Sequence, residues 1–226
     1  TLLYSEEPPL PPNEQHNNRR LTLSPEGRVI GLQIDPYRSS ARAQSCDAYI
    51  LEKTLLEYLV EEAATRGHYH WSRDVLIHNL DALKIFGYRY DGYIARLYTT
   101  AEYFRHSMAL LQEPVRAQLF HREHPIYTKV KDEVPAFYGS SANVKNSFVA
   151  DGCRVEGTVE NSILFRGAHV AGNATVRNSI LMQAAQVQEH AGLDYVILDK
   201  SVVIKNGGRL VGSPAFPVVL RKGVSI

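Results

Sequence analysis

From residue 144 to residue 210 the apolar positions fall into columns. Val159, Val176, Leu193 and Leu210 stand seventeen residues apart, and Asn161-Ser162-Ile163-Leu164 returns as Asn178-Ser179-Ile180-Leu181 and, more loosely, as Tyr195-Val196-Ile197-Leu198. A second column, Val155, Val170, Val187 and Ile204, keeps the same step except at its start, which is two residues shorter, as if one corner were trimmed. Repeats this short, rich in Val and Ile, broken by Gly, Asn and Ala and with no room for a helix, read as coils of a solenoid. Each coil is expected to be three short strands of about six residues, the hexapeptide form of a parallel β-helix. One apolar side chain per face points inward and stacks on its equivalent in the next coil, so the columns make a core that no single coil could bury. Gly152, Gly157, Gly167, Gly172, Asn173, Gly192, Asn206, Gly207 and Gly208 are expected near the corners. A β-sandwich, the alternative, requires no fixed coil length.

Upstream the pattern changes. Thr1-Leu2-Leu3-Tyr4 reads as a strand already in progress without an initiator Met, which sets the expectation of a fragment whose first part, with part of its sheet, is missing. A turn-rich segment with four prolines runs from Ser5 to Asn18, and strands are expected at 28–32 and 48–51. Thr54 and Glu57 have the spacing of a capping box, Leu55, Leu56, Leu59, Val60 and Ala63 follow helical spacing, and Gly67 is placed to end the helix. A short helix is expected after Ser72, then strands at 85–90 and 93–97 around an Asp91-Gly92 turn. Thr99 and Glu102 make a second capping box for a helix carrying Tyr103, Phe104, Met108 and Leu111 and stopped at Pro114. Strands and helices in alternation imply an α/β unit, an open sheet covered by helices. The expected division is an α/β part at 1–113, a connector at 114–138 and a β-helix at 139–226.

Composition removes several function classes. The 226 residues suffice for one large or two modest domains, and a formal charge of +1 provides no global field toward nucleic acid or an anionic membrane. Cys46 and Cys153, far apart in unlike surroundings, argue for a reducing cytoplasm rather than a disulfide scaffold. No apolar run approaches a membrane span, the start has no signal-peptide architecture, and the sequon Asn173-Ala174-Thr175 falls inside a repeat, where it reads as coincidence. His68-Tyr69-His70 and His121-Arg122-Glu123-His124 lack the further ligands of a zinc site and read as surface or capping residues. Tyr88, Tyr90, Tyr93 and Tyr98 could form a sugar platform, but read better as a half-buried sheet face. Nothing places Asp47 beside Asp74, so a carboxylate pair is not expected.

These elements together resemble the glucose-1-phosphate adenylyltransferase (ADP-glucose pyrophosphorylase) family. Tyr49-Ile50-Leu51 with the helix from Thr54 resembles the strand and helix after the family's sugar-phosphate motif, and Trp71-Ser72-Arg73-Asp74-Val75-Leu76 resembles its F-G-K-D-I-I. The run from Asp91 to Thr99 lies on its E-G-Y-W-R-D-V-G-T; Pro125-Ile126-Tyr127-Thr128 with Pro135-Ala136 lies on its P-I-x-T and P-P-A connector. The resemblance covers essentially all of this chain but only the later portion of the family's chain. It implies an incomplete, Rossmann-like nucleotidyltransferase part followed by a left-handed parallel β-helix. It also implies, for the whole assembly, conversion of ATP and glucose 1-phosphate to ADP-glucose and pyrophosphate.

The departures fall on the chemistry. Where the family's W-R-D-V-G-T has the Asp expected to hold Mg²⁺, this chain has Arg96, whose guanidinium repels a cation rather than coordinating it. The neighbouring Trp and Gly become Ile94 and Tyr98, and the motif E-K-P becomes Ile34-Asp35-Pro36, without the lysine that would face a phosphate. The family's Gly-rich triphosphate loop is absent from these residues. Lost chemistry on a retained scaffold looks like the non-catalytic, GlgD-type regulatory subunit. The expectation is therefore no catalytic residue, no metal ligand and no cofactor in this chain, with Mg²⁺ at the site of a catalytic adenylyltransferase partner in a hetero- or homo-oligomer. Arg96 and Arg73, with Arg89, could instead line a pocket for a sugar-phosphate effector, and Ser45, Asp74 and Tyr93 complete the candidate binding set. The rival readings are a catalytic subunit, a β-helix that only assembles subunits, and a hexapeptide acyltransferase. The last generally needs a histidine on an extruded loop, and the repeats contain only His169 and His190, in short coils.

Overall fold

The computed structural model describes residues 1–6, 18–36, 39–121, 123–128 and 131–226, which form two compact units, Thr1–Gly92 and Tyr93–Ile226. Most of the proline-rich segment, and Arg122 of the second histidine group, lie outside the described residues.

The first unit is a mixed sheet. β1 (Leu2–Glu6), β2 (Arg19–Leu23), β3 (Val29–Ile34), β4 (Ala43–Tyr49) and β5 (Gly87–Arg89) lie in the order β3-β2-β4-β1-β5. β1 runs antiparallel to β4 and parallel to β5, and the chain passes from β4 to β5 through the helices. Leu2, Leu21, Val29, Leu32, Ala43 and Leu76 form its core. The strand expected at 48–51 is β4, which begins earlier and ends at Tyr49, and β2 was not anticipated. Helix α1 (Lys53–Thr65) ends as expected: Gly67 takes φ 67°, and the N–H groups of Gly67 and His68 donate to Ala64 and Ala63. Its expected capping box does not form. The helix starts at Lys53, which places Thr54 inside it, and Glu57 faces Lys53 at 3.3 Å instead. A π-type turn, Trp71–Leu76, leads into the short helix α2 (Ile77–Asn79).

The second unit opens without the strand expected at 93–97. The N–H of Tyr93 donates to the Gln118 side chain at 2.9 Å rather than to a neighbouring strand. Helix α3 (Thr100–Ala109) has its predicted capping box, with both reciprocal bonds between Thr99 and Glu102. Pro114 does not stop α3, which ends at Ala109; it lies in the first turn of α4 (Glu113–Leu119), where its missing N–H has no helical partner to lose.

The remaining chain is the solenoid, three parallel sheets of five strands each. One contains β6 (Phe137–Tyr138), β9 (Arg154–Val155), β12 (His169–Val170), β15 (Gln186–Val187) and β18 (Val203–Ile204). The second contains β7 (Asn143–Lys145), β10 (Thr158–Glu160), β13 (Thr175–Arg177), β16 (Gly192–Asp194) and β19 (Arg209–Val211). The third contains β8 (Phe148–Val149), β11 (Ile163–Leu164), β14 (Ile180–Leu181), β17 (Val196–Leu198) and β20 (Val218–Leu220). Both columns read from the sequence are in register, Val155 on Val170 despite the short step and Val159 on Val176 on Leu193 on Leu210.

The Asn-Ser-Ile-Leu repeat has a separate task at each position. Asn146, Asn161 and Asn178 turn the corner with φ between 41° and 46°. Ser147, Ser162 and Ser179 each accept an N–H from the following coil, from Ser162, Ser179 and Val196 in turn, all at 3.1 Å. The Leu side enters the core, with Leu164, Leu181 and Leu198 stacked. The Ile side, outward on this sheet, is buried as well, because Phe104 of α3, with Tyr103 and Met108, packs on Ile180 and Ile197. Spatially α3 therefore sorts with the solenoid, whereas the alternation of strands and helices in the sequence grouped it with the α/β part.

Candidate functional site

Near its end β4 is irregular, its register against β1 shifting between Ser45 and Tyr49, and Ser45, Asp47 and Tyr49 are linked there by hydrogen bonds. Ser45 is buried and accepts the N–H of Asp47 at 3.1 Å, and Asp47 adopts φ 52°. The Asp47 carboxylate accepts from Arg19 at 2.6 Å and from the Tyr49 hydroxyl at 3.3 Å. Ser72, from the π-type turn, joins this group beside Tyr49, and Trp71 meets the Tyr49 ring edge-on at 6.0 Å between centroids. Burial pushes the Tyr49 phenol up, and its bond with Ser72 opposes the shift. Trp71 Nε1 is buried without a hydrogen-bond partner among the described residues. Only Ser45 of this group was in the candidate set, although the period-two spacing of Ser45, Asp47 and Tyr49 is visible in the sequence.

Asp74 has a local task. Its carboxylate accepts the N–H groups of His70 at 2.9 Å and Tyr69 at 3.1 Å, and these bonds, His70 first, hold its pKa below the usual carboxylate value. A depressed folded-state pKa contributes stability above the unfolded value, about 3.9, that is lost as pH falls through the folded one. Asp74→Ala is therefore expected to melt below the parent at neutral pH, with the gap closing in strong acid. Melting curves at the two pH values test this; a gap that persists in acid would assign the loss to packing.

Arg73 is exposed on the same turn, and Arg89 already bridges Glu6 at 3.2 Å and Asp91 at 2.6 Å. In the second unit the Tyr93 hydroxyl meets His106 Nδ1 at 2.7 Å, and Arg96 is half-buried and not without a partner. Ser45, Arg73 and Asp74 thus belong to one compact unit, and Tyr93 and Arg96 to the other. Tyr88, Tyr90 and Tyr98 are exposed rather than half-buried, Tyr88 on the edge strand β5.

Among the described residues no three His, Cys, Asp or Glu side chains are grouped to hold a metal ion, and no helix is long and apolar enough to cross a membrane. Asp35, in place of the E-K-P lysine, accepts the N–H of Asn18 at 2.6 Å. His169 faces Glu156 at 3.3 Å from a strand, and His190 turns a corner with φ 60°. Neither stands on an extruded loop.

Residues 134–214 match the family model described as GlmU-like, C-terminal hexapeptide. The chain is 44% identical over 181 residues to the glycogen biosynthesis protein GlgD of Bacillus subtilis, covering 80% of this chain and 52% of that protein. It is 45% identical over 133 residues to GlgD of Geobacillus stearothermophilus, covering 59% of this chain and 38% of the relative. The glucose-1-phosphate adenylyltransferase of Pseudothermotoga lettingae is 23% identical over 168 residues, 73% of this chain and 40% of that protein. The chain thus spans about half the length, or less, of these curated relatives. Over the span it covers, the chain is similar to the GlgD glycogen biosynthesis proteins, at higher identity than to that adenylyltransferase.

Proposed function

We propose that the protein containing this chain is a regulatory, non-catalytic subunit of glucose-1-phosphate adenylyltransferase in glycogen biosynthesis. It associates in the cytoplasm with a catalytic subunit that converts ATP and glucose 1-phosphate to ADP-glucose and pyrophosphate. The observation that carries this reading is Arg96, which stands where the resemblance places a metal-binding carboxylate. Mg²⁺, when bound in a catalytic subunit, bridges and neutralises nucleotide phosphates. The residues present here do not fit it: a guanidinium offers donors and a positive charge, and Asp35 is committed to a backbone N–H. Two further observations support the reading. The scaffold is retained where the chemistry is not, and the GlgD relatives are named for glycogen biosynthesis. Cys46 and Cys153 are not joined in a disulfide, which fits a reducing compartment. A sugar-phosphate effector at the α/β part remains part of the proposal, with the exposed Arg73 as its cation.

The test is adenylyl transfer by a catalytic homologue from the same source, with the complete parent of this chain titrated in and the parent alone as control. The expected result is an inert parent that changes the partner's rate or effector response at a saturating ratio. Substantial Mg²⁺-dependent turnover by the parent alone would overturn the reading and make it a catalytic subunit.

A further inference from the structure

The outer face of the second solenoid sheet has a gap in it. In β7, β10, β13, β16 and β19 the middle residue points into the core, so its two neighbours point outward and stack into columns from coil to coil. One column reads Lys145, Glu160, Arg177, Asp194 and Val211, and the other Asn143, Thr158, Thr175, Gly192 and Arg209. Gly192 alone among them has no side chain. Neither backbone nor packing demands glycine there: its φ is not left-handed, and an added Cβ would meet only Arg209 Cγ, at 3.8 Å.

The gap opens a groove of about 480 Å³, within the size range of small-molecule sites. Its floor is Gly192 with the buried Ala191 and Leu193, and in the column Thr175 stands on one side of Gly192 and Arg209 on the other. Asn173 and His190, both exposed, border it where they turn the adjoining corner at φ 58° and 60°. Arg177 and Asp194 border it from the second column. These two are partners in register, yet no ion pair joins them among the described residues. Arg177 Nε turns away to Glu160 at 3.1 Å, and Asp194 accepts from Asn178 at 2.8 Å. In the preceding coils Glu160 faces both Lys145 at 3.9 Å and Arg177. Arg209 is exposed and forms no ion pair among the described residues.

The lining has the chemistry of an anion site with a polar body. Two guanidinium groups against one carboxylate leave the groove positive, and the planar fork of an Arg holds phosphate or carboxylate oxygens by paired N–H donors. The exposed pair of Arg177 with Glu160 is weak enough to be exchanged for a ligand. Asp194, Thr175 and Asn173 supply the acceptors and donors that hydroxyl groups need. No aromatic ring lines the groove to anchor a protein partner or to stack a base.

We propose that this groove binds a small oxyanion with a hydroxylated body, a phosphorylated or carboxylated polyol. Arg209 and Arg177 hold the anionic group, and Asp194, Thr175 and Asn173 take the hydroxyls. The site lies wholly in the second unit, whereas Arg73 belongs to the first, so it does not rest on the regulatory reading or on the effector proposed there.

Titration calorimetry of the complete protein with sorbitol 6-phosphate, gluconate and sorbitol tests this, since the three share one carbon chain and differ in the terminal group. At least one of the two anions is expected to bind and sorbitol is not; the anion that binds identifies the phosphate or the carboxylate as the group recognised. Gly192→Leu, which fills the gap, and Arg209→Gln, which removes a cation and keeps the stem, are each expected to weaken binding about tenfold or more with unchanged melting. Arg73→Gln is expected to leave it unchanged. The proposal is overturned if neither anion binds at millimolar concentration or if sorbitol binds as tightly. Indifference to both Gly192→Leu and Arg209→Gln, or loss of binding in Arg73→Gln, would also overturn it.

Discussion

Replacing Leu181 by Ala is expected to lower the stability of the solenoid by about 3–5 kcal/mol. Leu181 is fully buried at the middle of the third sheet, directly between Leu164 and Leu198 in parallel register. Its neighbours above and below are held by their own ladder bonds, so they cannot close on the cavity without breaking the register of the coil. That rigidity places the cost at the upper part of the range for buried Leu to Ala changes. Because each coil rests only on its neighbours, loss at a central coil uncouples the two ends of the stack. Urea denaturation followed by far-UV circular dichroism measures it, with Val219→Ala as the control. Val219 is half exposed on the last coil, and its truncation is expected to change stability by less than about 0.5 kcal/mol. Equal effects at the two sites would show that the columns do not carry the fold.

The solenoid was legible because its signal is long and redundant. A one-residue slip would put every core side chain on the wrong face, so the columns at 159, 176, 193 and 210 leave one register open. Ile163, Ile180 and Ile197 gave no such guidance, since an outward apolar column needs a cover and the sequence does not say which segment provides it. The cover is α3, whose Phe104 and Met108 look like any amphipathic helix when read alone. The α/β part was harder. Its capping box at Thr54 has the right spacing and fails because the helix begins earlier, with its N-cap at Glu52, a difference of two residues that propensity does not resolve. Segment 93–97 has strand composition but pairs through a Gln side chain, a tertiary partner twenty-five positions away.

The candidate site was legible in its losses more than in its geometry. Arg96 and Ile34-Asp35-Pro36 stand out only against a family motif, because an Arg or an Asp in a loop carries no signal alone. Ser45 turned out to be one member of a cluster with Asp47, Tyr49 and Ser72, two of them from the same strand and one from a turn more than twenty residues later. Asp74, a carboxylate in a matching motif, has one oxygen accepting two backbone N–H groups.

The trimmed corner makes the last prediction. The two residues missing between Val155 and Val159 bring the chain so close to the next coil that a Cβ at Gly157 would lie 2.4 Å from the Ala174 carbonyl oxygen and 2.6 Å from that of Ala171. Both are backbone atoms held in neighbouring turns, so no side-chain rotation relieves the clash. Gly157→Ala is therefore expected to cost about 3 kcal/mol. Gly192 is the comparison. It sits in β16, where a Cβ would meet nothing nearer than Arg209 Cγ at 3.8 Å, and its backbone is open to any residue. Gly192→Ala is expected to be neutral or stabilising by about 0.5 kcal/mol, since alanine loses less chain entropy on folding. Thermal and urea unfolding of the two variants side by side decides the matter. If Gly157→Ala folds as stably as the parent, the short corner must have room that its coil spacing denies, and the two-residue gap in the repeat would need a different cause.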